Sequence, residues 1–346
     1  MSASLSPWWQ PFLRAGRHHF VSALADSLVG GSFRRSPQLR CTCDLQHGMS
    51  SNLQALERPA LFVFRAGTSS WGSVRLRVFQ LASALRASVT NPEAVRIVTE
   101  EQLWAMEPEG ADIVASKYVF NEGNSDLFLR MRAKRNRLFA DIVDGFPALG
   151  LERFVQGYFC ASKTEFRSRS SLGVTAFDVP HPVDSRFGPV AFDKESFQLG
   201  YFGGDGGSEH LNVLDSIENV FTGRAISSRE LRAVVPIVKS FSHHYSVRTF
   251  FGEGVFKPAT KAFVAARFGA VFVGSRKDAE TVSVLGEAYP YLAKSSALDD
   301  VEEVLQLARA SFHSSVWQSA VDRMAEMRRD SCDLRLGQVV AAALNF

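Results

Sequence analysis

The apolar positions of the chain fall into short continuous runs, separated by segments with helical periodicity. The first clear run is "ALFVF", residues 60–64. An apolar run of this length is typical of a strand buried on both faces. In the segment that follows, Val74, Val78, Leu81 and Leu85 recur at three- and four-residue spacing, as on the buried face of an amphipathic helix.

The same alternation continues through the first half of the chain. Further strand candidates there are residues 94–99, 111–117, 137–144, 153–162 and 173–180. Strands that alternate with helices are typical of βαβ units on a parallel sheet.

Residues 181–196 interrupt this pattern, because they are rich in turn formers and show no period. We interpret them as an interdomain linker. After the linker the alternation restarts, with strand candidates at 197–204, 230–238, 245–251, 269–275 and 289–295 and helices at 297–312 and 314–330.

The length of 346 residues exceeds the roughly 250–300 residues at which single cores stop growing. We therefore predict an α/β protein with an extension, residues 1–52, and two Rossmann-like domains, residues 53–187 and 188–346. The last helix is a candidate to cross back to the first domain.

Composition and charge exclude several classes. A hydrophobic content of 46% and a formal net charge of +3 are ordinary for a globular protein, and a nucleic-acid binder would show a concentrated basic stripe. No apolar run reaches the about 18 residues that span a bilayer. The four cysteines lack the spacing of a zinc site, so we expect no metal and reduced thiols in the cytoplasm.

Two basic segments have alternative interpretations. Residues 1–52 hold five arginines against two acids, which is compatible with a transit peptide; we favour a peripheral extension with a short helix over 17–29. Residues 130–137 hold five basic residues in eight. They predict either a solvated face or peripheral contact with an anionic membrane surface.

Ligands of open parallel sheets bind beyond the carboxyl ends of the strands, so the loops there are candidate sites. One of these loops, residues 203–210, contains Gly203, Gly204, Gly206 and Gly207. Such a loop predicts either an anion-binding nest of backbone amides or a flexible turn. The first domain lacks the Gly-x-Gly-x-x-Gly fingerprint of dinucleotide binding, which argues against an NAD-dependent epimerase or oxidoreductase.

A second candidate loop precedes the helical run "ATKAFVAARFG". Pro258 suits the first turn of a helix, and Lys257, Thr260 and Lys261 lie beside it. Free amides, a hydroxyl and ammonium groups at a helix N-terminus predict a diphosphate site. The alternative is a pair of solvated surface lysines.

The chain resembles the GT-B-type glycosyltransferases of the group 1, family 4-like class. The resemblance covers about residues 60–320 and is carried by the order of six segments: "WGSVRLRVFQLASAL", "RLFADIVDGFP", "FCASKTEFRS", "VPHPVDSRF", "LGYFGG" and "KPATKAFVAARFGAVFVGS". It implies two Rossmann-like domains whose parallel sheets face a central cleft, with the nucleotide-sugar on the second. Where that class carries two glutamates, this chain has Phe256 and Val264.

The resemblance implies transfer of a sugar from a nucleoside-diphosphate sugar to an acceptor hydroxyl, as in surface polysaccharide or glycoconjugate synthesis, without a further cofactor. We assign the diphosphate to Lys257, Thr260, Lys261, Gly203 and Gly204. Asp144 is the first candidate for the general base and Asp141 the second. His181, at the start of the interdomain linker, is a further catalytic candidate. Glu280 is a candidate for a sugar or ribose hydroxyl, and Ser73, Arg75 and Arg77 are candidates for the acceptor side. A non-catalytic binding or scaffold protein of the same fold is the alternative.

Overall fold

The computed structural model describes residues 53–120, 124–144, 152–188, 194–204, 207–214, 216–221, 227–248 and 255–346. The chain divides into two compact units, Met1–Leu39 and Arg40–Phe346, and all described residues belong to the second. The helix predicted over 17–29 lies outside the described residues.

The first sheet has six strands, and all its neighbouring pairs are parallel. They are β1 (Ala60–Phe64), β2 (Val95–Thr99), β3 (Asp112–Ser116), β4 (Arg137–Asp141), β5 (Gly157–Cys160) and β6 (Ala176–Asp178). Their order is β2-β1-β3-β4-β5-β6. Each lies within a segment predicted as a strand. The prediction succeeds because β1 and the central residues of β3 and β4 are apolar and buried on both faces.

Helices connect these strands. They are α1 (Gly72–Val74), a π-helical stretch (Arg75–Gln80) that continues into α2 (Leu81–Ala87), α3 (Glu100–Met106), α4 (Ser125–Ala133) and α5 (Lys163–Ser171). Side chains fix two of the starts. Thr99 and Gln102 form a capping box at α3, and the Ser162 side chain accepts a hydrogen bond from the Glu165 amide at α5, as helix N-termini require.

The second sheet has five strands, again with only parallel pairs. They are β7 (Leu199–Gly203), β8 (Glu218–Phe221), β9 (His243–Tyr245), β10 (Val271–Ser275) and β11 (Leu292–Ala293). Their order is β11-β10-β9-β7-β8. The helices that follow in this half are α6 (Ser228–Ser240), α7 (Thr260–Arg267), α8 (Ala279–Leu285), α9 (Leu298–Ala310), α10 (Ser315–Asp330) and α11 (Asp333–Leu344).

Two strand predictions in this half differ from the structure, and one strand was not predicted. The segment 230–238, predicted as a strand, is part of α6. Ser227 and Glu230 form a capping box there, and Leu231 and Val238 are buried seven positions apart, which is a helical repeat that overrides the β-branched composition. β9 begins two residues earlier than predicted. β8 was not predicted, because four residues give too short a pattern.

The last helix packs against the helices of the first sheet. Leu336 and Val340 of α11 share a buried cluster with Leu81 and Leu85 of α2. A side chain at Gly337 would overlap the carbonyl of Ala84, so glycine allows the two helices their close approach. The end of the chain therefore returns to the first sheet after the second sheet is complete.

Candidate functional site

A cavity of about 270 Å³ lies where loops from both sheets meet. Gly72 and Leu76 follow β1 of the first sheet, and Asp184 belongs to the segment between the sheets. The remaining polar lining comes from the carboxyl-terminal side of the second sheet: Gly203, Gly207, Ser246, Arg248, Lys257, Thr260, Lys261 and Thr281. This is the edge at which ligands of open parallel sheets bind.

The structure brings the two predicted anion-binding segments into contact. The Lys261 Nζ donates a hydrogen bond to the Gly207 carbonyl at 2.9 Å. Gly204 is exposed, and its carbonyl accepts from the Tyr201 hydroxyl at 2.6 Å and from the Gly207 amide at 3.1 Å. We call Gly203, Gly204 and Gly207, which follow or end β7, the glycine bend. The glycine bend and the first turn of α7 form one wall of the cavity.

The N-terminus of α7 opens onto this wall. The preceding residue, Ala259, provides no side-chain cap, and the first amides of any helix have no partner within the helix. Thr260 and Lys261 occupy its first turn, where the helix dipole is positive. A hydroxyl, an ammonium group and helix amides therefore face the same space.

Burial and neighbouring charges perturb both lysines. Burial, with the positive charges of Arg248 and Lys257, lowers the pKa of Lys261 to about 7. Burial also lowers the pKa of Lys257, against the opposing charge of Asp144. Cations that repel each other in a partly desolvated pocket are stabilised by a bound anion. The electrostatics of the cavity therefore favour binding of an anionic ligand.

Arg248 is a cavity residue that the sequence reasoning missed. Its guanidinium pairs with Asp278, with Nε 2.7 Å from Oδ2, and donates to the carbonyl of Pro258 at 3.0 Å. Asp278 also caps α8 by accepting from the Thr281 amide. Arg248 therefore connects β9, the start of α7 and the start of α8. Arg248 lies inside the segment 245–251 that was predicted as a strand, so its place in the loop after β9 followed only from the earlier end of that strand.

Asp144 lies at the end of the first sheet nearest these cations. It is exposed, and its backbone has a positive φ of 60°. Such a conformation is uncommon outside glycine and recurs at functional positions. Its negative charge acts on Lys257, so the candidate base lies within electrostatic range of the candidate diphosphate site.

Asp141 and Arg77 lie elsewhere. Both side chains are 1% exposed and form an ion pair, with the Arg77 Nε 2.9 and 3.0 Å from the two carboxylate oxygens. The Arg77 Nη1 also donates to the carbonyls of Val179 and Pro180 at 2.8 and 3.0 Å. The structure thus places both side chains in the interior, where they hold the start of the linker.

The catalytic candidate His181 and the acceptor-side candidates Ser73 and Arg75 are sequence neighbours of residues that line the cavity. His181 is buried, its Nδ1 is 3.0 Å from the Pro182 carbonyl, and burial lowers its pKa to about 3. Ser73 is half-buried beside Gly72. Burial and the neighbouring Arg186 lower the pKa of Arg75, which places that guanidinium against the linker.

Glu280 does not line the cavity. Its carboxylate accepts hydrogen bonds from the amides of Lys163 and Thr164, at 3.0 and 2.9 Å, and from the Thr164 hydroxyl at 2.8 Å. Glu280 lies on α8, which follows β10 of the second sheet, and the two amides begin α5, which follows β5 of the first sheet. The residue therefore joins the helices of the two sheets.

The two positions at which the resembled class was expected to carry glutamates differ in environment. Val264 lines the cavity and is buried in a cluster with Phe187, Leu231 and Phe268. Phe256 is half-buried in the segment before α7. One end of the cavity is consequently apolar, next to the cationic end.

The basic segment 130–137 is largely engaged with acids and carbonyls. Arg130 and Lys134 both pair with Glu107, and Arg137 pairs with Asp112. These pairs neutralise part of the segment's charge, which favours the solvated-face interpretation.

Two searches of the described residues were negative. No cluster of histidine, cysteine, aspartate and glutamate side chains in them has the make-up of a metal site. None of their helices combines the length and apolarity needed to cross a bilayer.

Solved structures similar to this chain are glycosyltransferases. HepE of Anabaena, in complex with UDP, has a TM-score of 0.58 at 8% identity over 82% of this chain and 99% of that one. A glycosyltransferase from Rickettsia africae has a TM-score of 0.53 at 7% identity, over 83% and 96%. The α,α-trehalose 6-phosphate synthase of Burkholderia multivorans has 0.52 at 10%, over 83% and 98%.

The fold is GT-B. This similarity, with two parallel α/β sheets, confirms the predicted fold class; the family 4-like subclass stays a prediction. No protein-family model matches the sequence, and a search of curated proteins gives no significant match.

Proposed function

We propose that the protein transfers a sugar from a nucleoside-diphosphate sugar to an acceptor hydroxyl. The observation that carries the proposal is the convergence of the glycine bend, the α7 N-terminus and the cations of Lys257, Lys261 and Arg248 on one cavity. A diphosphate is the part of such a donor that needs these groups. The complex of the similar HepE structure with UDP supports the same donor class.

The reaction assigns a role to each side of the cavity. The acceptor oxygen bonds to the anomeric carbon of the donor while the bond between that carbon and the diphosphate oxygen breaks. Negative charge grows on the departing diphosphate, where Lys261, Lys257 and the α7 amides stabilise it. Asp144 takes the proton of the acceptor hydroxyl as general base.

A thermal-shift screen with nucleoside diphosphates tests the donor site, because a ligand that binds only the folded state raises its melting temperature. We expect UDP or another nucleoside diphosphate to stabilise the protein. Lys261→Ala should reduce this shift strongly while the ligand-free melting temperature stays close to that of the unmodified protein.

Lys294→Ala is the matched control, since Lys294 is exposed and pairs only with Glu303 in the described structure. It should leave the ligand-induced shift unchanged. Equal ligand-induced shifts for Lys261→Ala and Lys294→Ala would contradict the assignment of Lys261 to the diphosphate site.

The acceptor and the setting are part of the proposal. We place the activity in surface polysaccharide or glycoconjugate synthesis, in the cytoplasm. Peripheral contact between residues 130–137 and anionic lipid is the alternative to the solvated face that the ion pairs of this segment favour. Vesicles with and without anionic lipid test that contact. Equal sedimentation with both would argue against it.

A non-catalytic binding protein of this fold is the second candidate, and Val264 favours it. This position lines the cavity with an apolar side chain where the resembled class has a carboxylate. Incubation with a panel of nucleotide-sugars separates the two, because transferases usually hydrolyse their donor slowly. Binding without any release of nucleoside diphosphate would support the second candidate.

A further inference from the structure

We propose that Tyr201 is a positioning residue of the donor site. Its ring holds the ammonium group of Lys261, and its hydroxyl holds the glycine bend, so that both face the same anion. This inference rests on the proposed function, because the anion is the diphosphate of the donor.

Tyr201 contacts both segments of the site from the interior. It is fully buried in β7 and does not line the cavity itself. The Lys261 Nζ lies 4.5 Å from the centroid of its ring. Its hydroxyl donates to the Gly204 carbonyl at 2.6 Å. One side chain thus fixes two groups that are distant in sequence.

The glycines next to the Tyr201 hydroxyl show how closely Tyr201, Lys261 and the glycine bend pack. A Cβ at Gly207 would overlap the Tyr201 hydroxyl and lie 2.9 Å from the Lys261 Nζ. A Cβ at Gly203 would lie 2.7 Å from the Lys261 Cε and 2.9 Å from the Tyr201 hydroxyl. Such distances are far below normal carbon contacts, so both positions accommodate only glycine while Tyr201 and Lys261 keep this arrangement.

The ring also acts on the charge of Lys261. Among the described residues, the charged and titratable groups that act on this ammonium are Arg248 and Lys257, which oppose its protonation, and His244, whose pKa burial and the lysine lower. The ring of Tyr201 lies beside it. Asp205, in the bend, lies outside the described residues. An aromatic face attracts a cation, so the ring stabilises the protonated lysine that a diphosphate requires.

Two variants separate these functions. Tyr201→Phe removes the hydroxyl and keeps the ring; we expect it to weaken binding of UDP and of inorganic pyrophosphate by about tenfold, the effect of one hydrogen bond. The midpoint of its affinity-versus-pH profile should stay that of the unmodified protein. Tyr201→Leu also removes the ring, and its midpoint should move to lower pH, because the ammonium loses its aromatic partner.

Tyr291→Phe is the matched control. Tyr291 is equally buried, and its hydroxyl bonds Ser311 at 2.8 Å in the same half of the protein, away from the cavity. Isothermal titration from pH 6 to 9, with the ligand-free melting temperature of each variant, provides the measurement. A merely structural tyrosine would lower that temperature without moving the pH midpoint.

The outcomes are distinct. Weaker UDP and pyrophosphate binding in Tyr201→Phe, together with a shifted midpoint in Tyr201→Leu, supports the inference. Equal affinities for Tyr201→Phe and Tyr291→Phe, or equal midpoints for all variants, overturn it while the proposed function stands. Failure of the unmodified protein to bind any nucleoside diphosphate overturns the proposed function and this inference with it.

Discussion

Arg77 and Asp141 form an ion pair that is closed to solvent on all sides, with both side chains 1% exposed. Two further hydrogen bonds connect Arg77 to the carbonyls of Val179 and Pro180, where the chain leaves the first sheet. Two residues that sequence reasoning assigned to the cleft thus lie in the interior, where they fix the start of the linker.

Removing one partner of this pair should destabilise the protein. Asp141→Asn leaves a buried guanidinium without its counter-charge, and we expect the free energy of unfolding to fall by about 3–5 kcal/mol. Urea denaturation followed by circular dichroism measures the change. A loss below about 1 kcal/mol would contradict the structural role.

Asp144 should behave in the opposite way. Its side chain is exposed, so Asp144→Asn should change stability by less than about 0.5 kcal/mol. If it is the general base, the variant should lose about 10²–10⁴-fold in the rate of sugar transfer. Its UDP affinity should be no lower than that of the unmodified protein, because the substitution removes a negative charge near Lys257. Retention of full transfer activity would exclude Asp144 as the base.

The affinity for UDP should depend on pH through Lys261. In the ligand-free protein, burial and neighbouring positive charges lower the pKa of Lys261 to about 7. A bound diphosphate favours the ammonium form of this side chain, so binding takes up a proton above that pH. Affinity should therefore fall as pH rises from 7 to 9. Titrations in buffers of different ionisation enthalpy measure the proton directly.

Lys261→Arg is the control for this dependence, since arginine stays charged over the whole range. Its UDP affinity should be nearly constant between pH 7 and 9. A dependence as steep as that of the unmodified protein would assign the titrating group elsewhere.

Glu280 should protect the amides at the start of α5. Glu280→Gln keeps the shape of the side chain but removes one acceptor oxygen, so the bonds to Lys163 and Thr164 weaken. We expect faster hydrogen exchange in a peptide that covers residues 161–171, and a loss of about 1–3 kcal/mol in stability. Glu302→Gln, on an exposed position of α9, should leave that peptide unchanged.

Periodicity predicted most of the elements because burial is periodic in both strands and helices. β1 is apolar throughout, β3 and β10 each contain a buried apolar run of three residues, and α9 and α10 each keep one apolar face. The pattern failed at 230–238, where "AVVPIV" has strand-like composition but its buried positions follow a helix. Composition alone does not show which side of a segment faces the core.

The sequence by itself determined the two parallel α/β sheets, the glycines after β7 and the lysines before α7, since these depend on local propensity and on positions near strand ends. Only the tertiary structure decided which charged groups share one space. It buried Arg77 with Asp141, joined Glu280 to α5, and added Arg248 and Tyr201 to the lysines. The physical reason is that a charge acts through distance and desolvation, and both are set by the packing of segments far apart in the chain.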